Sequence, residues 1–489
     1  MNPIYILLIV VAYFLVLILI SRSTSGKADN QTFFVGNRQS PWYVVDFGMI
    51  GASLSGVTFI SVPGWVESSE FSYMQMVLGY VPGYFVIAFV LLPLYYRMKL
   101  TSIYTYLQNR FGQFSYKTGA SYFLLSRLIG AAFRLYLVAM VFQIVFDMMD
   151  IGFPFWLTVC ITILLIWLYT FRGGIKTIIW TDTLQTAFML ISVGISVYAI
   201  SKALNLDGSN LFSTISKTDY GQVFFFGDPN DSKFFFKQFF AGMFITITMT
   251  GLDQDMMQKN LSCRSLKDAQ KNMISFSLVL VFVNLLFLAL GALLYMYAGH
   301  LGIQVPEKAD ELFPTLALGG YLGVGVGVFF ILGLIAAAYS SADSALTALT
   351  TSYSIDILEV DKKPEKNAVS IRRRVHIYMS LALVVIILIF KAIDNDSVIA
   401  QLFTAAGYTY GPLLGMYAFG LFTPFGVKDK FVPIVCILSP ALSFVLDYWS
   451  VDIFGGYEIG FEILIINGLI TFLGLLILSS GRTNFSLKE

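Results

Sequence analysis

The run Ile335–Ser354 places Ala337, Ser340, Ser341 and Ser344 on one face of a helix, at spacings of three, four and seven, with Asp343 on its flank. These side chains offer hard oxygen atoms, and hydroxyls with one carboxylate suit a weakly held alkali cation. The competing reading is a stripe of small residues that lets two helices pack closely. A second set lies in Gly48-Met-Ile-Gly-Ala-Ser-Leu-Ser-Gly-Val-Thr-Phe59, with Pro63-Gly64 after it. A helix interrupted there would offer backbone carbonyls to an ion and a helix N-terminus to an anionic group. Four charged side chains fall within apolar stretches: Arg127, Arg134, Asp182 and Asp343. Charges at that depth line a cavity or pair with one another. Cys160, Cys263 and Cys436 are scattered without metal or redox spacing, and neither His300 nor His376 has a nucleophile beside it. The chain therefore reads as no enzyme.

The elements that must position these groups follow from composition. Of 489 residues, 57% are hydrophobic and 12% charged, whereas soluble domains carry about 25% charged residues. The class is an all-α polytopic membrane protein. A net charge of +1 gives no reason to expect nucleic acid as a partner. Crossing a hydrocarbon core takes roughly 20 apolar residues, and thirteen stretches qualify. They lie near 3–21, 43–65, 72–96, 118–148, 154–171, 174–201, 234–252, 271–299, 319–355, 375–393, 397–423, 430–449 and 459–480. The first lacks the basic start and small-residue cleavage site of a signal peptide. With the N-terminus outside, most of the 31 Lys and Arg residues fall on the inner side, including Lys259 and the run 358–374. Only Lys202, Lys217, Lys233, Lys237, Lys308 and Lys391 fall outside. That bias predicts N-terminus out, C-terminus cytoplasmic, in the plasma (inner) membrane. Segment 97–117 is expected as an amphipathic helix on the inner surface.

Interruptions also recur in the seventh stretch, at Thr246-Ile-Thr-Met-Thr-Gly251, and in the eleventh, at Gly407-Tyr-Thr-Tyr-Gly-Pro-Leu-Leu-Gly415. The second and seventh stretches each open a five-span half, where inverted repeats place their broken helices.

These residues resemble the sodium/solute symporter family over nearly the whole chain. The resemblance rests on Gly51-Ala-Ser-Leu-Ser-Gly-Val-Thr-Phe59, Arg172-Gly-Gly-Ile-Lys-Thr-Ile-Ile-Trp-Thr-Asp-Thr-Leu-Gln185, Gln254-Asp-Met-Met-Gln-Lys259 and Ala337-Ala-Tyr-Ser-Ser341. It implies a leucine-transporter-type 5+5 fold built from spans 2–11. The first repeat would occupy 42–202 and the second 203–424, with peripheral parts at 1–41 and 425–489. It implies one sodium held by the carbonyls of Gly51, Leu54 and Ala337 and the hydroxyls of Ser340 and Ser341. A second ion would map to Asp182, Ser340, Asp343 and Ser344; sialic-acid members carry a serine where this chain has Asp343. Ser55, Thr58 and Tyr73 match positions that line the solute pocket, and Gln75 is added from its location. Sialic-acid members have an arginine where this chain has Gly130, and Arg134 lies one turn beyond it. Arg134 either binds a carboxylate or pairs with Glu67, Glu70 or Asp147.

The function so implied is sodium-coupled symport of a small organic solute, a sugar or sugar acid first, by alternating access. The protein would work as a monomer in a lipid bilayer, with Na+ as its coupling ion. A sodium-coupled monocarboxylate or amino-acid symporter is the alternative. A non-transporting membrane solute sensor is the reading from another class, although only about nine residues follow the last span.

Overall fold

In hydrocarbon every backbone polar group must find its partner inside the protein, so long apolar runs close their hydrogen bonds as helices. The computed structural model describes residues 3–24, 39–100, 102–150, 152–170, 175–206, 210–360, 364–393 and 398–482. The principal helices are α1 (Pro3–Thr24), α2 (Trp42–Ser53), α3 (Gly56–Ser69), α4 (Tyr73–Arg97) and α5 (Gln113–Met148). They continue as α6 (Phe155–Thr170), α7 (Ile175–Ala203), α8 (Phe235–Gly251), α9 (Gln254–Leu261) and α10 (Leu266–Leu301). The chain ends with α11 (Gly323–Ser352), α12 (Glu365–Ile393), α13 (Val398–Phe422), α14 (Val432–Tyr448) and α15 (Ile463–Ile477). Among the described residues, seven helices are long and apolar enough to cross a membrane, or nine if each bent pair is one span.

Two expected interruptions are present. α2 and α3 meet at an angle of 54°, and α8 and α9 at 65°. The third is absent: α13 runs without a break through Pro412. Proline has no N–H to give the carbonyl four residues before it, here that of Tyr408. Asn467 of α15 supplies the missing donor. Its Nδ2 donates to the carbonyls of both Gly407 and Tyr408 at 3.0 Å, and Gly411 leaves room for the amide to approach. Asn467→Ala would strand the Tyr408 carbonyl, which has no helical donor opposite Pro412, and an unsatisfied buried acceptor costs about 1–3 kcal/mol. A lowered midpoint of unfolding in detergent is expected; an unchanged midpoint contradicts this account.

Segment 97–117 is helical over a shorter stretch than expected: before α5 begins at Gln113 only Thr105–Arg110 forms a helix, with Tyr106, Leu107 and Arg110 buried, Asn109 exposed, and Tyr104 buried just ahead of it. Its buried side has a physical reason. Bending the chain between α8 and α9 frees carbonyls, and buried tyrosines answer them. Tyr95 donates to the Gly251 carbonyl at 2.8 Å and Tyr104 to that of Leu252 at 2.9 Å. The Ile103 N–H donates to Gln254 Oε1 at 2.9 Å. A two-stranded antiparallel pairing of Phe425–Val427 with Ser479–Arg482, invisible in the hydropathy pattern, ties the ends of α13 and α15 together. The Gly173-Gly174 loop and residues 361–363 of the charge run lie outside the described residues.

Candidate ion and solute site

The α2–α3 break sits at Leu54 and Ser55: Leu54 (ψ 84°) turns the chain out of α2, with the Ser55 N–H donating to the Ser53 carbonyl at 3.1 Å, and the extended Ser55 (ψ 178°) starts α3. The last carbonyls of α2 therefore lack helical partners. α2 can reach its neighbours closely because Gly51 has no side chain: a Cβ there would lie 2.1 Å from Thr186 Oγ1 of α7. From the other side, α11 brings its serine pair. Ser341 Oγ donates to the Ala52 carbonyl at 3.2 Å, and Ser340 Oγ donates to Asp182 Oδ1 at 2.6 Å. A carboxylate and a carbonyl only accept, so both hydroxyl hydrogens are committed and both oxygens keep lone pairs for a cation. Ser341 thus joins α11 to the end of α2 at Ala52, and the other expected sodium ligands, Gly51, Leu54, Ala337 and Ser340, are buried on or at the end of the same two helices.

The set expected for a second ion is arranged differently. Lys259, placed by the charge bias on an inner loop, is buried in the bundle at 1% exposure. Its Nζ donates to Asp182 Oδ2 and to Ser344 Oγ, both at 2.9 Å. Asp343 Oδ1 accepts the N–H of Ser344 at 2.5 Å. The four residues come together as expected, and a lysine ammonium stands among them.

A third cluster was missed from sequence. Arg127 pairs with Asp253 at 3.7 Å and hydrogen-bonds Asp255, all three buried. Asp253 caps α9 by accepting the N–H groups of Asp255 and Met256, and it also accepts from Tyr410 at 2.9 Å. An Asp at the N-cap is an ordinary helix-start signal. It was obscured because the surrounding motif read as an inner loop.

Between these clusters lies a narrow cavity of about 90 Å³, smaller than the usual small-molecule pocket, so a solute must widen it on entry. Ser55, Thr58, Tyr73 and Arg134 all line it, with Tyr80, Asn284 and Phe403. Tyr73 and Tyr80 join their hydroxyls at 3.1 Å, and Tyr73 stacks on Phe403. Gln75 does not line the cavity. It is fully buried and pins the segment after α7, donating to the Lys233 carbonyl at 2.8 Å and accepting from Phe225 N–H at 3.0 Å. Arg134 pairs with none of Glu67, Glu70 and Asp147: Glu70 holds Lys233 at 3.0 Å, and Gln143 donates to Asp147 at 2.9 Å. Among the described residues Arg134 forms no ion pair, and its buried Nε has no hydrogen-bond partner. Asn284 Oδ1 is likewise buried without a donor.

A profile of the sodium:solute symporter family matches residues 33–424. The chain belongs to the sodium:solute symporter family. It is similar to the sodium/sialic acid symporter NanT of Aliivibrio fischeri, 26% identical over 423 residues, covering 81% of this chain and 78% of NanT. The human sodium/iodide cotransporter is 23% identical; the match takes in 82% of this chain and 62% of that longer protein. In fold, this symporter-family member resembles the substrate-bound outward-open structure of a Na+-coupled sialic acid symporter. The TM-score is 0.81 at 19% identity, covering 96% of this chain and 97% of the other. A nucleobase-cation-symport-1 family transporter, Mhp1 in a closed conformation, matches with a TM-score of 0.60 at 14% identity. The broken-helix architecture of this family member is thus that of solved cation-coupled symporters.

Proposed function

We propose that the protein carries a small organic anion, a sugar acid, across the membrane by sodium-coupled symport with alternating access. Family membership supports the sodium coupling, and sialic acid and monocarboxylate symporters among its relatives support an anionic solute. The observation that carries the solute class is Arg134. A cation without an ion pair among the described residues faces a cavity whose wall also holds the Ser55, Thr58 and Tyr73 hydroxyls and the unpartnered Asn284 acceptor. Burying a charge is costly unless something pairs with it, and a carboxylate on the solute does that. The hydroxyls and Asn284 then meet the hydroxyls of a sugar.

In this reading Gly51, Leu54, Ala337, Ser340 and Ser341 hold the sodium, clamping broken α2 against α11. Solute enters the completed cavity, and the two repeats, 42–202 and 203–424, rock about it. Thirteen crossings place the N-terminus outside and the C-terminus in the cytoplasm of a protein that works as a monomer.

Uptake of labelled sialic acid, hexuronate, lactate and proline into proteoliposomes, with a sodium or a choline gradient, tests the proposal. Sodium-driven uptake of a carboxylated sugar is expected. Arg134→Gln should raise its KM by about 10- to 100-fold, the worth of a charge-assisted hydrogen bond. Uptake of a neutral solute that survives Arg134→Gln overturns the anion assignment. Preference for lactate over the sugar acids favours the monocarboxylate alternative, which Arg134 also accommodates.

A further inference from the structure

Asp182, Asp343, Ser340 and Ser344 make a buried cluster of oxygen atoms with two carboxylates, and such a cluster demands a cation. The structure holds that cation on the chain itself. Lys259 reaches in from α9, the second half of a broken helix, and its ammonium donates to Asp182 of α7 and Ser344 of α11 at 2.9 Å each. Its side chain is 1% exposed and that of Asp182 is 0%, so neither partner is available to bulk ions without moving. An ammonium is a compact point charge with three donors on a flexible stem, which makes it a fair substitute for a small alkali ion among oxygen ligands.

We infer that Lys259 is a tethered second cation, occupying the place a second sodium would take, so that one sodium binds per transport cycle. This rests on the sodium-coupled reading above. Because the ammonium cannot leave, it contributes local charge balance to every conformation and carries no ion down the gradient.

Equilibrium binding of radioactive sodium to purified protein, with and without Lys259→Ala, tests the inference. The wild type is expected to bind one sodium per chain, and the variant two, because the vacated oxygen cluster then takes an external ion. Equal counts in the two proteins, or two ions in the wild type, overturn the inference. No sodium bound to the wild type overturns the sodium-coupled reading and the inference with it, a result distinct from either of those. Should Lys259→Ala survive only in high salt, its melting temperature supplies the second readout. Its rise per tenfold increase in sodium should be about twice that of the wild type, as linkage requires for two sites instead of one. An identical slope overturns the inference just as equal counts do.

Discussion

Arg127→Met is expected to destabilise the protein by about 3–5 kcal/mol, the usual result of removing one partner from a buried ion pair. The arginine lies at 5% exposure on α5, and its partners Asp253 and Asp255 are at 0% and 2%. Methionine fills similar volume, so the loss is electrostatic and not a cavity effect. What remains are two buried carboxylates a few ångströms apart at the start of α9. Asp253 keeps Tyr410 and the two N–H groups it caps, whereas Asp255 loses the arginine that hydrogen-bonds it. The effect should appear as a lowered unfolding midpoint in detergent and as poor recovery of folded protein. Adding Asp255→Asn to Arg127→Met removes one orphaned charge and should restore much of the loss. If the double variant is no more stable than the single one, the ion pair is not the cause. The consequence reaches function, because this cluster sets the 65° turn between α8 and α9, and that turn carries Lys259 to its position.

Ser340→Ala and Ser341→Ala are each expected to weaken sodium dependence strongly, while leaving the cavity wall at Ser55, Thr58 and Arg134 unchanged. Each hydroxyl has its hydrogen committed, to Asp182 and to the Ala52 carbonyl, and turns lone pairs to the proposed ion. Losing one ligand to a full charge is worth about 1.5–3 kcal/mol, or about 10- to 150-fold in the sodium concentration for half-maximal uptake. Solute KM at saturating sodium should move much less than sodium affinity. That split separates loss of an ion ligand from general damage to the bundle. Wild-type sodium stimulation in either variant removes that serine from the ion site. Ser340→Ala carries a further effect, since Asp182 then keeps only Lys259 as a side-chain hydrogen-bond partner among the contacts described above.

Much of this site was legible in the chain before folding. Low charge and long apolar runs decide the class, because hydrocarbon admits only helices with satisfied backbones. Gly51, Ser53, Ser55 and Gly56 mark the α2–α3 break, since small and hydroxylated residues in an apolar run have little reason to be there except a break or a close contact. Ser340, Ser341 and Ser344 mark their own face by simple helical spacing. The broken start of α9 was legible as well, through Thr246–Gly251.

Partnership was not legible. Hydropathy treats Lys259 as the edge of a loop, because its neighbours Gln258 and Asn260 are polar. Only folding brings it to Asp182, 77 positions away in sequence. Arg127 finds Asp255 across 128 positions for the same reason. α13 looked broken at Gly407–Gly415 because the donor that repairs it, Asn467, lies on another helix. In each case local sequence sets what a helix needs, an orphaned carbonyl or an uncompensated charge. Which distant side chain meets that need is decided by helix packing, and the packing is a property of the whole bundle.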